Sequence, residues 1–585
     1  MALEEKVSHA FHIPVLGLGF SIDTPLKVSH FGFDSVMALT EDNIIEMMRR
    51  YHAEQHHNAY VPIRRNEHDA RARRITAYLN LIKELADENF ETLRSLSFDD
   101  PENDLNQTFQ LLAPDHHIRR LYDRFCQGET GLEPLLRNSL RQGSLDVNIM
   151  TKLDHPHARD RTKYANEAMA ALRGFANSDL ESSIVLSAGF NDQLFSYLGE
   201  LDAFRPGHDG FRKKVILKVS DYGSARTQAL RLAQKGVWVS EFRVESGLNC
   251  GGHAFANRTG DLIGPILDEF QQSREGLHEM LLAEYRKAIG DAGFSTSRAR
   301  LTYQGGIKTH EELALFKEVY GVDGVGMGTP FLFVPEVTNV SPYNLDLLIA
   351  ATKDDLVLSE ASPLGVPFWM LLGTEGLQQH EARIAAGRPG VVCTYAKLLS
   401  PYGESFMCAA DSRRMQEELA ALAPMAEGDE KEYRTFVVLA KNCLCPGLSR
   451  DVQDKHGLED GFREHAASVV CAGPSAQYFH RSYTLKEMVH RFTGEEPGET
   501  LPFTQMDEIG INLRKNEYDL ANHLFRKNPE KELQAIKRRL GGIQRSIDYY
   551  HEHIGHFAPR QEEVVGQLQQ YQQLLDRIRA DHLPA

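Results

Sequence analysis

Between Leu301 and Phe331 the chain reads LTYQGGIKTHEELALFKEVYGVDGVGMGTPF. An apolar run closes on Gly305 and Gly306, a helix-like segment follows, and a second apolar run closes on Gly326, Met327, Gly328 and Thr329. Glycines at the C-terminal end of a strand let backbone N–H groups approach a phosphate, and the helix that follows turns its positive end to the same point. Either turn alone is also explained as a tight turn. Two of them, spaced by one strand–helix–strand unit, match the phosphate grip that a (β/α)8 barrel builds after its last two strands.

The text upstream supplies the remaining strands. His12 to Phe20 is a strand candidate ending in Gly17 and Gly19, and Asp34 to Leu39 is the next, followed by a helix capped at Thr40. Charged, helix-periodic sequence then runs from about residue 60 to 144, with Ile75, Leu79, Ile82 and Leu85 at helical spacing. Strand text resumes at Leu145 to Leu153, Ser183 to Phe190, Lys214 to Val219 and Gly236 to Val244. With the two strands of the glycine unit the count is eight. The expected fold is therefore α/β, a (β/α)8 TIM barrel over residues 1–59 and 145–370. A helical insertion fills 60–144, a cysteine-rich region 371–500 and a helical hairpin 501–585. The hairpin follows from Leu533, Ile536, Leu540, Ile543, Ile547 and Tyr550, then Val564, Leu568, Leu575 and Ile578 after a break at Gly555 and Pro559. Its apolar stripe serves the hairpin itself or a homo-oligomer interface.

Charge narrows the partners. Lys and Arg total 65 against 82 Asp and Glu, and the net charge of −17 disfavours a nucleic-acid surface. The run Arg71 to Arg74 (RARR) sits among acids and reads as a solvated helix face. No stretch approaches the ~20 apolar residues of a membrane span, and Glu4 and Glu5 stand where a secretory leader is positive, so a cytoplasmic location is expected. Of seven cysteines, Cys393, Cys408, Cys443, Cys445 and Cys471 gather outside the barrel. Four of these five read as ligands for an iron–sulfur cluster or zinc, with ordinary structural thiols as the alternative.

The sixth strand leads into Gly247 to His253, GLNCGGH. Gly251 and Gly252 let backbone pass close to a flat ligand, and His253 presents a group that exchanges protons near neutrality. Taken in order, GGH, then QGGI (Gln304 to Ile307), then DGVGMGTPFL (Asp323 to Leu332) resembles the signature of the nitronate monooxygenase family, formerly 2-nitropropane dioxygenases, and its enoyl-thioester reductase relatives. The opening strand and Val147 to Ile149 (VNI) fall in register with it. The resemblance covers roughly Phe11 to Tyr60 and Leu145 to Phe368.

That resemblance implies a non-covalent FMN. Its phosphate would be held around Gly305, Gly306, Gly328 and Thr329, its polar edge by Asn148 and Lys218, and its ring would pass Gly19, Gly251 and Gly252. His253 would be the catalytic base. The chain departs from the family's pattern in the first loop, Leu16 to Phe20, and at Cys250, which is either a redox residue or an inert buried thiol. The expected partners are a small-molecule substrate, either a carbon acid or an activated alkene, and an electron donor that is a protein or NAD(P)H. A cysteine-held cluster would pass electrons to the flavin. Two other readings stand beside this one: a flavin-free barrel lyase or synthase binding a phosphorylated substrate, and a scaffold without chemistry.

Overall fold

The computed structural model describes residues 5–583 except 152–153, 155–165, 209, 250–256, 258, 460–465 and 497. Eight parallel strands run in the order β1-β8-β7-β6-β5-β4-β3-β2: β1 Phe11–His12, β2 Ser35–Ala38, β3 Leu145–Ile149, β4 Ser183–Leu186, β5 Lys214–Val219, β6 Val239–Glu245, β7 Arg300–Gln304 and β8 Gly324–Gly326. A parallel bridge from Ile13 to Ser35, with Ile13 N–H donating to Asp34 O at 3.0 Å, joins the first strand to the second and closes the ring. The expected barrel is the observed one.

The first strand is shorter than its apolar run suggests. Pro14 has no N–H to give a ladder, Gly17 turns at a φ of 54°, and Leu18 and Gly19 donate to Leu448 O at 3.3 and 3.0 Å. The run thus leaves the barrel to pack beneath the segment after Cys443.

Barrel strands send alternate side chains into the lumen. Here one side is an apolar plug of Val15, Val36, Ala38, Val185 and Ile216. The other side is charged. Glu241 accepts from Arg243 Nη2 at 2.7 Å and Thr302 Oγ1 at 2.7 Å, and one layer higher Lys218 Nζ lies 2.9 Å from Glu245. Charges this deep persist only when paired.

The insertion supplies helices at Ala70–Ser95, Asp104–Gln110, His117–Cys126 and Glu133–Ser139. Call α1 the helix Asp42–Gln55 and α2 the helix Ala70–Ser95; α2 packs on α1 and on α3, Glu167–Ala176. Ile75, Tyr78, Leu79, Ile82 and Leu85 are buried, at roughly 1.5–3 kcal/mol for each large apolar side chain. A side chain at Gly174 would lie 2.7 Å from Ile75, so this glycine sets how closely α2 approaches. The expectation of a solvated RARR face is wrong for two of its arginines. Arg71 and Arg74 are only 5% and 6% exposed and pair with Asp42 at 2.9 and 3.1 Å. Lys397 reaches Asp42 at 3.2 Å and Glu167 at 2.6 Å. One buried network thus joins the barrel, the insertion and the cysteine-rich stretch, which composition alone could not reveal.

Beyond the barrel an antiparallel pair, Leu356–Ser359 with Phe368–Leu371, is tied to the loop after β6 by Trp369 Nε1 donating to Gly247 O at 2.8 Å. Let α4 be Ile263–Ile289, α5 His310–Glu318, α6 Thr504–Asn522, α7 Pro529–Glu552 and α8 Gln561–His582. The hairpin is α7 with α8, and α6 packs on both. These helices cap the barrel's helices from a distance. The N–H groups of Leu262, Ile263 and Gly264, which open α4, donate to Ser546 Oγ, Glu508 Oε2 and Tyr550 OH at 2.9, 3.0 and 3.0 Å. In return Glu312 of α5 accepts from Thr504 N–H at the start of α6. Orphan donors that a helix leaves at its first turn are thereby satisfied in trans. A side chain at Gly542 would meet Gly260 backbone at 2.1 Å, so α7 lies directly on the end of the β6–α4 loop. Among the described residues no helix is long and apolar enough to cross a membrane.

These contacts predict the behaviour of three variants. Asp42→Ala leaves Arg71 and Lys397 with Glu167 as their carboxylate partner and Arg74 without an ion pair among the described residues, and should cost roughly 3–5 kcal/mol, the range for a broken buried pair, seen as an earlier urea transition. Arg73→Ala, whose exposed partner is Glu67, should stay within about 1 kcal/mol of wild type. Burial raises the Glu508 carboxyl from 4.5 to about 7. Its contribution to stability is therefore full below the unfolded value and lost as pH rises through the folded one. Glu508→Gln, which keeps the acceptor for Ile263, should melt above wild type at pH 8 and close to it at pH 4.5.

Candidate active site at the C-terminal mouth of the barrel

Strand register brings the two glycine turns together. Gln304 of β7 pairs with Gly326 of β8, so Gly305–Gly306 and Gly328–Thr329 leave neighbouring strands at the same end. Gly305 and Gly306 have φ values of 139° and 80°, which L residues rarely adopt. Each glycine is also required by packing. A side chain at Gly305 would strike Ser246 Oγ at 2.4 Å, and one at Gly306 would meet Thr504 at 3.0 Å and Leu248 at 3.1 Å. Thr504 Oγ1 donates to Gly306 O at 2.9 Å, so the start of α6 closes one side of this turn.

Thr329 opens a short 3-10 helix behind Gly328, and its hydroxyl is spent on Ala472 O at 2.7 Å. What these two turns can offer an anion is therefore main-chain N–H rather than hydroxyl.

Lys308, next to the first turn, is fully buried. Its ammonium lies 2.9 Å from Glu312 and 3.1 Å from Asp507. That arrangement holds α6 against the barrel, and the charge is already matched. Sequence reasoning passed over Lys308, Glu312 and Asp507: Lys308 and Glu312 read as an ordinary i,i+4 pair, and Asp507, which completes the set, lies nearly 200 residues away.

At the same end Asn148 and Lys218 come up from β3 and β5. Lys218 is held by Glu245, whose Oε1 also accepts from Asn249 Nδ2 at 2.9 Å and Gln304 Nε2 at 3.1 Å. Glu245 takes one of the three donors an ammonium carries. Asn148 is 6% exposed, and its Oδ1 is a buried acceptor without a partner among the described residues. Such an atom normally costs about 1–3 kcal/mol unless something fills its demand. A ligand with an N–H edge lying across the mouth would do so. Glu245, Gln304 and Asn249 are additions to the sequence-based set; the signal for Glu245 and Gln304 was polar residues at i, i+2 spacing in otherwise apolar strands, whereas Asn249 lies in the loop after β6.

At Gly19 a side chain would meet Val452 at 2.7 Å and Ser449 at 2.9 Å, so protein packs against the face a side chain would occupy. His253, Gly251, Gly252 and Cys250 lie outside the described residues. Beside their loop, a cavity of about 250 Å³ is lined by Glu245, Leu248, Asp261, Glu508 and Arg539 among others.

The cysteines do not build the expected metal centre. Among the described residues no group of three or more His, Cys, Asp or Glu side chains is placed to hold a metal ion. The Cys408 thiol hydrogen-bonds to Cys393, which raises the first and lowers the second. Burial pushes Cys445 up to about 12 and Cys443 well above the usual thiol range. Cys445, at 6% exposed, and Cys471, at 1%, pack in the main apolar core. This is the behaviour of structural thiols.

No family model and no curated protein matches the chain. Among solved structures it is similar to a mutant of FabK from Thermotoga maritima, at 15% identity over 62% of this chain and 77% of that one, with a TM-score of 0.31. It is also similar to a nitroalkane oxidase from Streptomyces ansochromogenes, at 10% identity over 83% of this chain and 96% of that one, with a TM-score of 0.34.

Proposed function

We propose that the chain is an FMN-dependent oxidoreductase whose flavin lies across the C-terminal mouth of the barrel. The observation that carries this reading is the unpartnered, buried Oδ1 of Asn148 on the same face as Lys218 and the paired turns after β7 and β8. The ordered motif series from GGH to GTPFL points the same way. In this reading the main chain at Gly305, Gly306, Gly328 and Thr329 holds the phosphate. Asn148 accepts from the ring's N–H edge, and Lys218 donates to its oxygen edge with Glu245 fixing its position.

When bound, FMN supplies a two-electron acceptor or donor that no side chain can provide. The work left to the protein is placement and proton transfer. His253, which the sequence puts between β6 and α4, takes the proton from an acidic substrate carbon, or returns one to the carbon of an activated alkene, depending on direction. The trans-capping of α4 by Glu508, Ser546 and Tyr550 holds the far end of that loop, so a base carried on it has one anchored side. The proposed substrate class is a small carbon acid such as a nitronate, or an activated alkene.

Asn148→Leu removes an acceptor that serves no protein donor among the described residues. It should leave the melting temperature of the flavin-free chain unchanged while lowering FMN affinity about 10-fold, the worth of one good hydrogen bond in a dry site. Equal affinity in the two proteins would contradict the assigned edge. His253→Ala should retain FMN yet lose at least ~10²-fold in turnover, the usual scale for a general base. Unchanged turnover would remove His253 from the chemistry. A colourless protein that takes up no FMN, but turns over a phosphorylated metabolite, would favour the lyase or synthase reading instead.

A further inference from the structure

The opposite, N-terminal end of the barrel holds the larger cavity, of about 460 Å³. Its walls are the first residues of the strands. Five cationic side chains line it, Arg141, Lys214, Arg243, Arg298 and Arg300, against three carboxylates, Asp34, Asp146 and Glu241. His9 and His12 add no charge, because burial lowers both imidazoles, His9 to about 4. Ile216 of the apolar plug forms part of the lining, so the plug separates this cavity from the other mouth on that side.

The charges are unevenly spent. Arg141 is taken by Asp34 at 3.1 Å, and Arg298 by Glu275 at 3.2 Å. Arg243 gives Nε and Nη2 to Glu241 Oε1 at 2.9 and 2.7 Å. Its Nη1 is buried and has no partner among the described residues, although the residue is only 2% exposed. A guanidinium donor left dry is costly, and in a cavity of this size it marks the place of an acceptor. Lys214 and Arg300 stand exposed at the rim, Arg300 with its Nη1 3.6 Å from Glu241 Oε2, and both add positive potential at the entrance.

We propose that this N-terminal cavity is a binding site for a small oxyanion of the phosphate or phosphate-monoester class, seated on Arg243 and drawn in past Lys214 and Arg300. A tetrahedral oxyanion offers the acceptor that Arg243 Nη1 lacks, and charge-assisted bonds to a guanidinium are the strong kind. Of the three carboxylates that line the cavity, Asp34 and Glu241 are matched by Arg141 and Arg243, which leaves Asp146 as the one that opposes it most. Its Oδ1 accepts from Ser144 Oγ at 2.6 Å and Ser183 N–H at 2.8 Å, with no cation paired to it among the described residues. The site lies at the far end of the barrel from the proposed flavin, so it is independent of that reading and is suited to sensing an anion.

The test is titration of the full-length chain, saturated with FMN where it binds it, with inorganic phosphate, glycerol phosphate and, as the carboxylate control, succinate, followed by calorimetry. Binding of the two phosphates at one site per chain is expected, with succinate weaker. Lys214→Gln, at an exposed position that leaves the fold intact, should weaken binding about 3-fold, and Arg243→Gln about 10-fold. Asp146→Asn should tighten it, an effect that a merely structural role would not produce. Absence of phosphate binding, or affinities indifferent to Lys214→Gln and Asp146→Asn alike, would overturn the site and leave a water-filled cavity.

Discussion

A closed parallel barrel must fill its lumen with side chains, and this one fills half of it with charge. Each ion placed there loses its hydration and has to recover the loss from a partner. Glu241 with Arg243 and Thr302, and Lys218 with Glu245 and Gln304, do so in successive layers. Among the demands the pairing leaves open are the Asn148 acceptor at the C-terminal mouth and the Arg243 donor at the N-terminal cavity. A lumen packed with aliphatic layers would offer a ligand neither. The same constraint therefore stabilises the barrel's interior and fixes where its chemistry can occur.

The chain beyond residue 370 completes the barrel rather than hanging from it. Glu312 caps α6, while Glu508, Ser546 and Tyr550 cap α4. Lys397 enters the Asp42 network from the cysteine-rich stretch. Backbone donors at two helix starts would otherwise be buried unpaired, so the terminal helices and the barrel depend on each other. A consequence for function is that the β6–α4 loop, from which His253 acts in our reading, is anchored by a helix nearly 300 residues away in sequence.

Much of this architecture was legible from residue order. All eight strands were identifiable, and the two turns of the glycine unit do meet, because local signals such as glycine at strand ends and helical spacing decide local structure. What failed needed partners distant in sequence. The RARR run looked solvated because Asp42 and Glu167 are not its neighbours in the chain. Nothing near Gly19 announces that Ser449 and Val452 lie against it. The clustered cysteines suggested a metal, yet their proximity in sequence becomes one thiol–thiol hydrogen bond and a set of buried thiols. The polar lumen did leave a trace, in Glu241, Arg243 and Glu245 and in Arg300, Thr302 and Gln304, where alternation inside a buried strand reports an inward charge.

At the centre is the claim that the C-terminal mouth is shaped for one flavin nucleotide. Fluorescence titration of FMN into the full-length chain, stripped of any ligand acquired during expression, tests it most directly. Quenching that saturates at one FMN per chain, and is not reproduced by riboflavin at the same concentration because the phosphate grip is then unused, is the expected result. Fluorescence that stays at the free-FMN value at every protein concentration would contradict the account.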